Sequence, residues 1–158
     1  MHSAGTGLRT ADGANFPSVP LHVPPSWTAD LQGLDALVFA PDHPTDDWDG
    51  VKSTLTLAFE LSRAAAASRI PIVYVVDNDD LLGRRGAPAA MVATGLLSGA
   101  RTAALETAKD GVPVNVLAVE QGSDPATICR WVRLLCEPGG PTGELVHLGS
   151  GHIGKALA

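Results

Sequence analysis

Two apolar runs, IPIVYVV at residues 70–76 and VPVNVLAV at 112–119, constrain this chain more than anything else in it. Neither alternates polar with apolar positions, so each reads as a strand covered on both faces. Between them, residues 88–109 read as a helix, stopped by Asp110-Gly111. A strand, a helix of that length and a second doubly covered strand make a parallel pair with its crossover helix packed on the sheet. The alternation continues in both directions. Residues 34–39 (LDALVF) form a short apolar run with a turn at Pro41, and residues 48–68 read as a helix. Asp124 opens another helix, with Pro125 at its first position and a core stripe of Ile128, Val132 and Leu135. Residues 144–148 (ELVHL) supply a last strand.

Residues 1–18 are rich in Gly, Ser, Thr and Ala without a period, and are expected to form a loose arm. Residues 19–23 fit a short edge strand, because Pro20, Pro24 and Pro25 forbid a central one. This divides the chain into a flexible arm over 1–30 and one domain over 31–158. A length of 158 residues, 45% of them hydrophobic, suits a single core. The net charge of −6, with no basic cluster longer than Arg84-Arg85, argues against a nucleic-acid partner. No signal peptide is visible and no run reaches the ~18 apolar residues of a membrane span, so a cytoplasmic protein without a membrane partner is expected. Cys129 and Cys136 have neither CxxC spacing nor histidines around them and read as small buried hydrophobes.

The helix at 88–109 is unusual, since no charge occurs from Gly86 through Ala100. A helix that is apolar all round is buried all round. One sheet face covers one stripe, so a second surface is expected to cover the remainder, the alternative being that the sheet and neighbouring loops bury the helix entirely. Ala89, Ala90, Ala93, Gly95, Ser98, Gly99 and Ala100 are small enough for another helix to approach closely.

The order and wording of these segments resemble the short-chain dehydrogenase/reductase family. LDALVFAP resembles that family's strand ending in "NNAG", and residues 48–65 look like the long helix that follows it. RIPIVYVVD resembles the strand that ends in the catalytic serine. LETAKDGVPVNVLAVEQG, residues 105–122, carries Glu106, Gly111, Val114 and Asn115 in the places the family's pattern requires. PTGELVHLGSG, residues 141–151, resembles the closing "TG…VDGG" segment. The resemblance implies an α/β fold, a truncated Rossmann-like three-layer sandwich with a mostly parallel sheet.

The departures from the pattern bear on activity. The family's pyrophosphate-cradling glycine loop does not precede residue 34, and its NNAG loop stands here as Phe39-Ala40-Pro41-Asp42. The catalytic serine falls at Val76 or Asp77. The family's Tyr and Lys belong in residues 88–95, which read PAAMVATG. Proton transfer to or from an alcohol needs a titratable group, and none of these side chains is one. The expectation is a chain that is not an enzyme and holds no cofactor or metal.

Other patterns are weaker. Residues 149–154 spell GxGxxG after a strand, but only four residues follow, too few for the helix that a dinucleotide site requires. Asp42, His43, Asp46, Asp47 and Asp49 offer carboxylates and an imidazole to a divalent metal, yet acids also suit a helix start, with Thr45 or Asp46 as the cap. Asp77, Asn78, Asp79 and Asp80 end a strand at the edge where α/β sheets place ligands, with a solvated loop as the plainer reading. His147 and His152 read as structural or exposed.

The resemblance implies that helices 48–68 and 88–109 form the pair that builds a four-helix subunit interface. The candidate interface residues are Leu55, Phe59, Ala66, Met91, Gly95, Ser98, Gly99 and Thr102. The expected function is a non-catalytic subunit assembling with itself or with a complete family member, for instance a hydroxyacyl-CoA dehydrogenase or ketoacyl reductase. The alternative is a stand-alone small-molecule or metal binder or enzyme using loops 42–49 and 77–80, with Asp42, His43, Asp77 and Asp79 lining its pocket. A decayed remnant without a specific role is a third possibility.

Overall fold

The computed structural model describes Trp27, Asp30, residues 33–41 and residues 47–149. Strands and helices alternate along them: β1 (Leu37–Phe39), α1 (Trp48–Ala67), β2 (Ile72–Asp77), α2 (Asn78–Leu81), α3 (Ala87–Thr107), β3 (Val114–Val119), α4 (Pro125–Leu135) and β4 (Leu145–Leu148). The strands lie in the order β1-β2-β3-β4 and every neighbouring pair is parallel. The proposed arm with its strand at 19–23, the candidate residues Asp42, His43 and Asp46, and the tail carrying His152 lie outside the described residues.

Strand residues alternate between two cores. Leu37, Phe39, Ile72, Tyr74, Val76, Val114, Val116 and Ala118 face α1 and α3. Val38, Val73, Val75 and Leu117 face α4 and Trp27. This period of two, with helices on both sides, is the three-layer α/β sandwich expected from the doubly apolar strands.

The placement of the helices has a topological consequence. The chain steps three times in the same direction across the sheet, with α1 and α3 on one face and α4 on the other. The third crossover therefore has the opposite hand to the first two. Right-handed connections are so strongly preferred that β3–α4–β4 is the left-handed exception. Asn115, fully buried in β3, ties this connection down. Its Nδ2 donates to the carbonyls of Leu135 (3.0 Å) and Pro141 (2.7 Å), and its Oδ1 accepts from the Glu144 amide (3.2 Å). The Gly143 amide adds a bond to the Val114 carbonyl at 2.7 Å.

Helix ends follow the chemistry of their flanking residues. The Asp124 side chain accepts from the Thr127 amide at 3.0 Å and caps α4, as expected. For α1 the cap is Asp47, later than the expected Thr45 or Asp46, accepting from Gly50 at 2.8 Å. Helix α3 passes into a 3-10 turn (Ala108–Asp110) that Gly111 closes at φ 67°, as the Asp-Gly stop signal implies. Strand β2 starts later than its apolar run because the Ile70 amide still bonds back to Ala65, and Pro71 has no amide to give. The expected loop at 77–80 is instead the short helix α2, capped by Asp77 through the Asp79 amide at 2.8 Å.

Helix α3, uncharged as far as Ala100, is buried on one face within this chain. Ala89, Val92, Ala93, Leu96, Ala100 and Ala104 form one buried face, whereas Met91, Thr94, Ser98, Gly99 and Thr102 are exposed. The sheet and the neighbouring loops of this chain therefore do not cover the helix entirely, and its outward positions carry Met, Thr, Ser and Gly. Part of the close helix approach is met within the chain itself, since a Cβ on Gly95 would lie 3.0 Å from Leu55 Cδ2 of α1.

Candidate functional site

Parallel strands carry their loops at two edges, and ligands of open α/β sheets sit outside the carboxyl ends of the strands. Here that edge includes the segment after β2, the residues after β3 and the end of β4. Asp77 and Asp79, two candidate pocket residues, both lie there. An arginine pairs with each. Arg84 Nη1 is 2.8 Å from Asp79 Oδ1, and Arg85 pairs with Asp77 through Nη2 and with Asp80 through Nε at 2.9 Å. Their two partner candidates, Asp42 and His43, lie outside the described residues. Among the described residues, no group of three or more His, Cys, Asp or Glu side chains could hold a metal ion.

Arg85 therefore bridges the end of β2 to α2, just ahead of α3. Its hydrogen bond to Asp77, reinforced by the nearby carboxylates, holds its pKa above the usual guanidinium value. Burial pushes the Asp80 carboxyl up, and the Arg85 charge only partly opposes this. A carboxyl whose folded pKa exceeds its unfolded value costs stability at neutral pH, and that cost is recovered as pH falls through the folded pKa. Asp80→Asn is thus expected to match or exceed the parent within about 1 kcal/mol at pH 7, and to lose that margin near pH 4. Urea midpoints at the two pH values test this, and a large loss at pH 7 contradicts it.

Asn78, which the sequence places only as one member of the 77–80 segment, has a specific role in the structure. It is buried, and its Nδ2 donates to the Leu148 carbonyl at 3.5 Å. That bond leaves Asn78 Oδ1 to accept from His147 Nδ1 at 2.9 Å, which places the ring proton on Nδ1. The pair fastens β4 to the end of β2 across β3. His147 was expected to be structural or exposed, and it is half-buried in this contact. Of the glycine-rich tail, Gly149 is described: a Cβ there would lie 2.5 Å from the Glu120 carboxyl, so the Glu120 side chain would have to move aside for any other residue.

Other polar groups in the core are also structural. Tyr74, whose pKa burial raises, shares a short hydrogen bond with Ser62 beneath α1. Cys136 is buried and its thiol is pushed up to about 12, so neither a thiolate nucleophile nor a ligand is available there. Cys129 is shifted the same way by burial.

The other candidate residues lie on the outward face of α1 and α3. Phe59 is 65% exposed and Met91 42%, and Leu105, absent from the sequence-based set, is 81% exposed. Ser98, Gly99 and Thr102 are exposed beside them, whereas Leu55, Ala66 and Gly95 are half-buried. Leu105 was legible as an apolar residue two turns beyond Ser98 on the same helix face.

No family model matches this sequence, and no curated protein does. Solved structures match its fold. One is a short-chain dehydrogenase from Mycobacterium smegmatis, at 21% identity and TM-score 0.55 over 73% of this chain and 59% of that one. A second, described as a short-chain dehydrogenase/reductase from Burkholderia xenovorans, matches at 15% identity and TM-score 0.60 over 72% and 62%. A third is a 3-hydroxyacyl-CoA dehydrogenase type-2 from Mycobacterium avium, at 17% identity and TM-score 0.57 over 71% and 60%. The chain thus has a short-chain dehydrogenase/reductase-like fold and spans about three-fifths of the length of these structures. Among the described residues, no helix is long and apolar enough to cross a membrane.

Proposed function

We propose that this chain is a non-catalytic cytoplasmic subunit with a short-chain dehydrogenase/reductase-like fold. It works by assembling, through the outward face of α1 and α3, with itself or with a complete dehydrogenase/reductase chain. The observation that carries this reading is the exposure of Phe59, Met91 and Leu105 on two helices that pack side by side. Burying such side chains contributes roughly 1.5–3 kcal/mol each, enough to drive association when grouped on one face.

The non-catalytic half of the reading rests on residue chemistry. Residues 88–95, where the resemblance places the Tyr–Lys pair, are the first turns of α3 and contain no titratable side chain. Of the two positions where the resemblance places the catalytic serine, Val76 is buried and Asp77 is engaged by Arg85 and by the Asp79 amide. A binder built on the acidic loops is less favoured, because Asp77 and Asp79 each have an arginine partner. The 3-hydroxyacyl-CoA dehydrogenase among the similar folds suggests the class of enzyme that a heteromeric partner would belong to.

The test is assay and assembly together. The isolated chain is expected to show no oxidation or reduction of carbonyl or hydroxyacyl compounds with either nicotinamide nucleotide. It is also expected to sediment as an oligomer or to co-purify with a co-expressed complete reductase. Phe59→Glu with Leu105→Glu should abolish that association with the circular dichroism spectrum unchanged. Turnover by the isolated chain would overturn the proposal.

A further inference from the structure

We draw no further inference here: the strongest candidate, the surface depression along the outward side of α4 lined by Asp30, Ala126, Arg130, Trp131, Arg133 and Leu134, is an open helix face, and nothing in the structure shows what covers it.

Discussion

Asn115→Leu is expected to cost the fold roughly 3–5 kcal/mol, a large share of the stability of a domain this size. The side chain is nearly isosteric, so the loss does not come from a cavity. It comes from three main-chain groups, the buried carbonyl of Leu135, the carbonyl of Pro141 and the amide of Glu144, which would lose their partners together while the Asn115 position stays dry. Those groups belong to the end of α4 and the connection into β4, so the damage falls on the crossover of opposite hand, where no general preference supports the backbone. Asn115→Asp separates this account from simple packing. The carboxylate would keep its bond from Glu144 but face two carbonyl oxygens at a fully buried position, which raises its folded pKa above the unfolded value of about 3.9. A raised folded pKa means the native state binds the extra proton, so stability should rise as pH falls from 7 toward 4. Chemical denaturation of both variants across that range is the measurement. An aspartate variant whose deficit does not change with pH would sink the argument.

Much of this architecture was legible in the chain because the strands are apolar on both faces. A residue string such as IVYVV has one solution in water, a strand between two helical layers, and the parallel order follows from the helices between the strands. What periodicity could not supply was the side of the sheet each helix takes. The stripe Ile128, Val132 and Leu135 fits either face, and tertiary packing alone put α4 opposite α1 and α3. Asn115 was visible as part of a family-like segment but not as a triple hydrogen-bonding hub, because its partners lie 20 to 29 residues away. The acidic run at 77–80 fits a solvated loop or a pocket as long as Arg84 and Arg85 are taken only as a short basic cluster and not as its countercharges. An Asp-Asn-Asp-Asp cap followed by Arg-Arg is, in retrospect, the spacing of a short helix closed by its own ion pairs. On α3, the sequence shows an uncharged stretch as far as Ala100, and the single chain covers one face of it, so the lack of charge does not by itself say which positions its own sheet takes.

Arg85→Met is the sharpest way to decide what the acidic segment after β2 is for. The guanidinium pairs with Asp77 and Asp80, and all three side chains are a third exposed or less. Removing one member of a buried ion pair leaves an uncompensated charge and costs about 3–5 kcal/mol, while partial solvent access here lowers the expected loss to about 2 kcal/mol. Two carboxylates left facing each other favour taking up a proton, so the native state of the variant binds more protons than the unfolded chain. By the sign of that linkage the deficit should be largest above pH 7 and shrink as the solution is acidified toward pH 4. Helix α3 begins directly after Arg85, so local opening should appear first as faster amide exchange in its opening turns. A purely structural network predicts this pattern with no gain or loss of any ligand. If Arg85→Met were as stable as the parent at neutral pH but newly bound divalent cations at Asp77 and Asp80, the arginine would instead be masking a metal site, and the reading of this sheet edge as an ion-paired closure would fail.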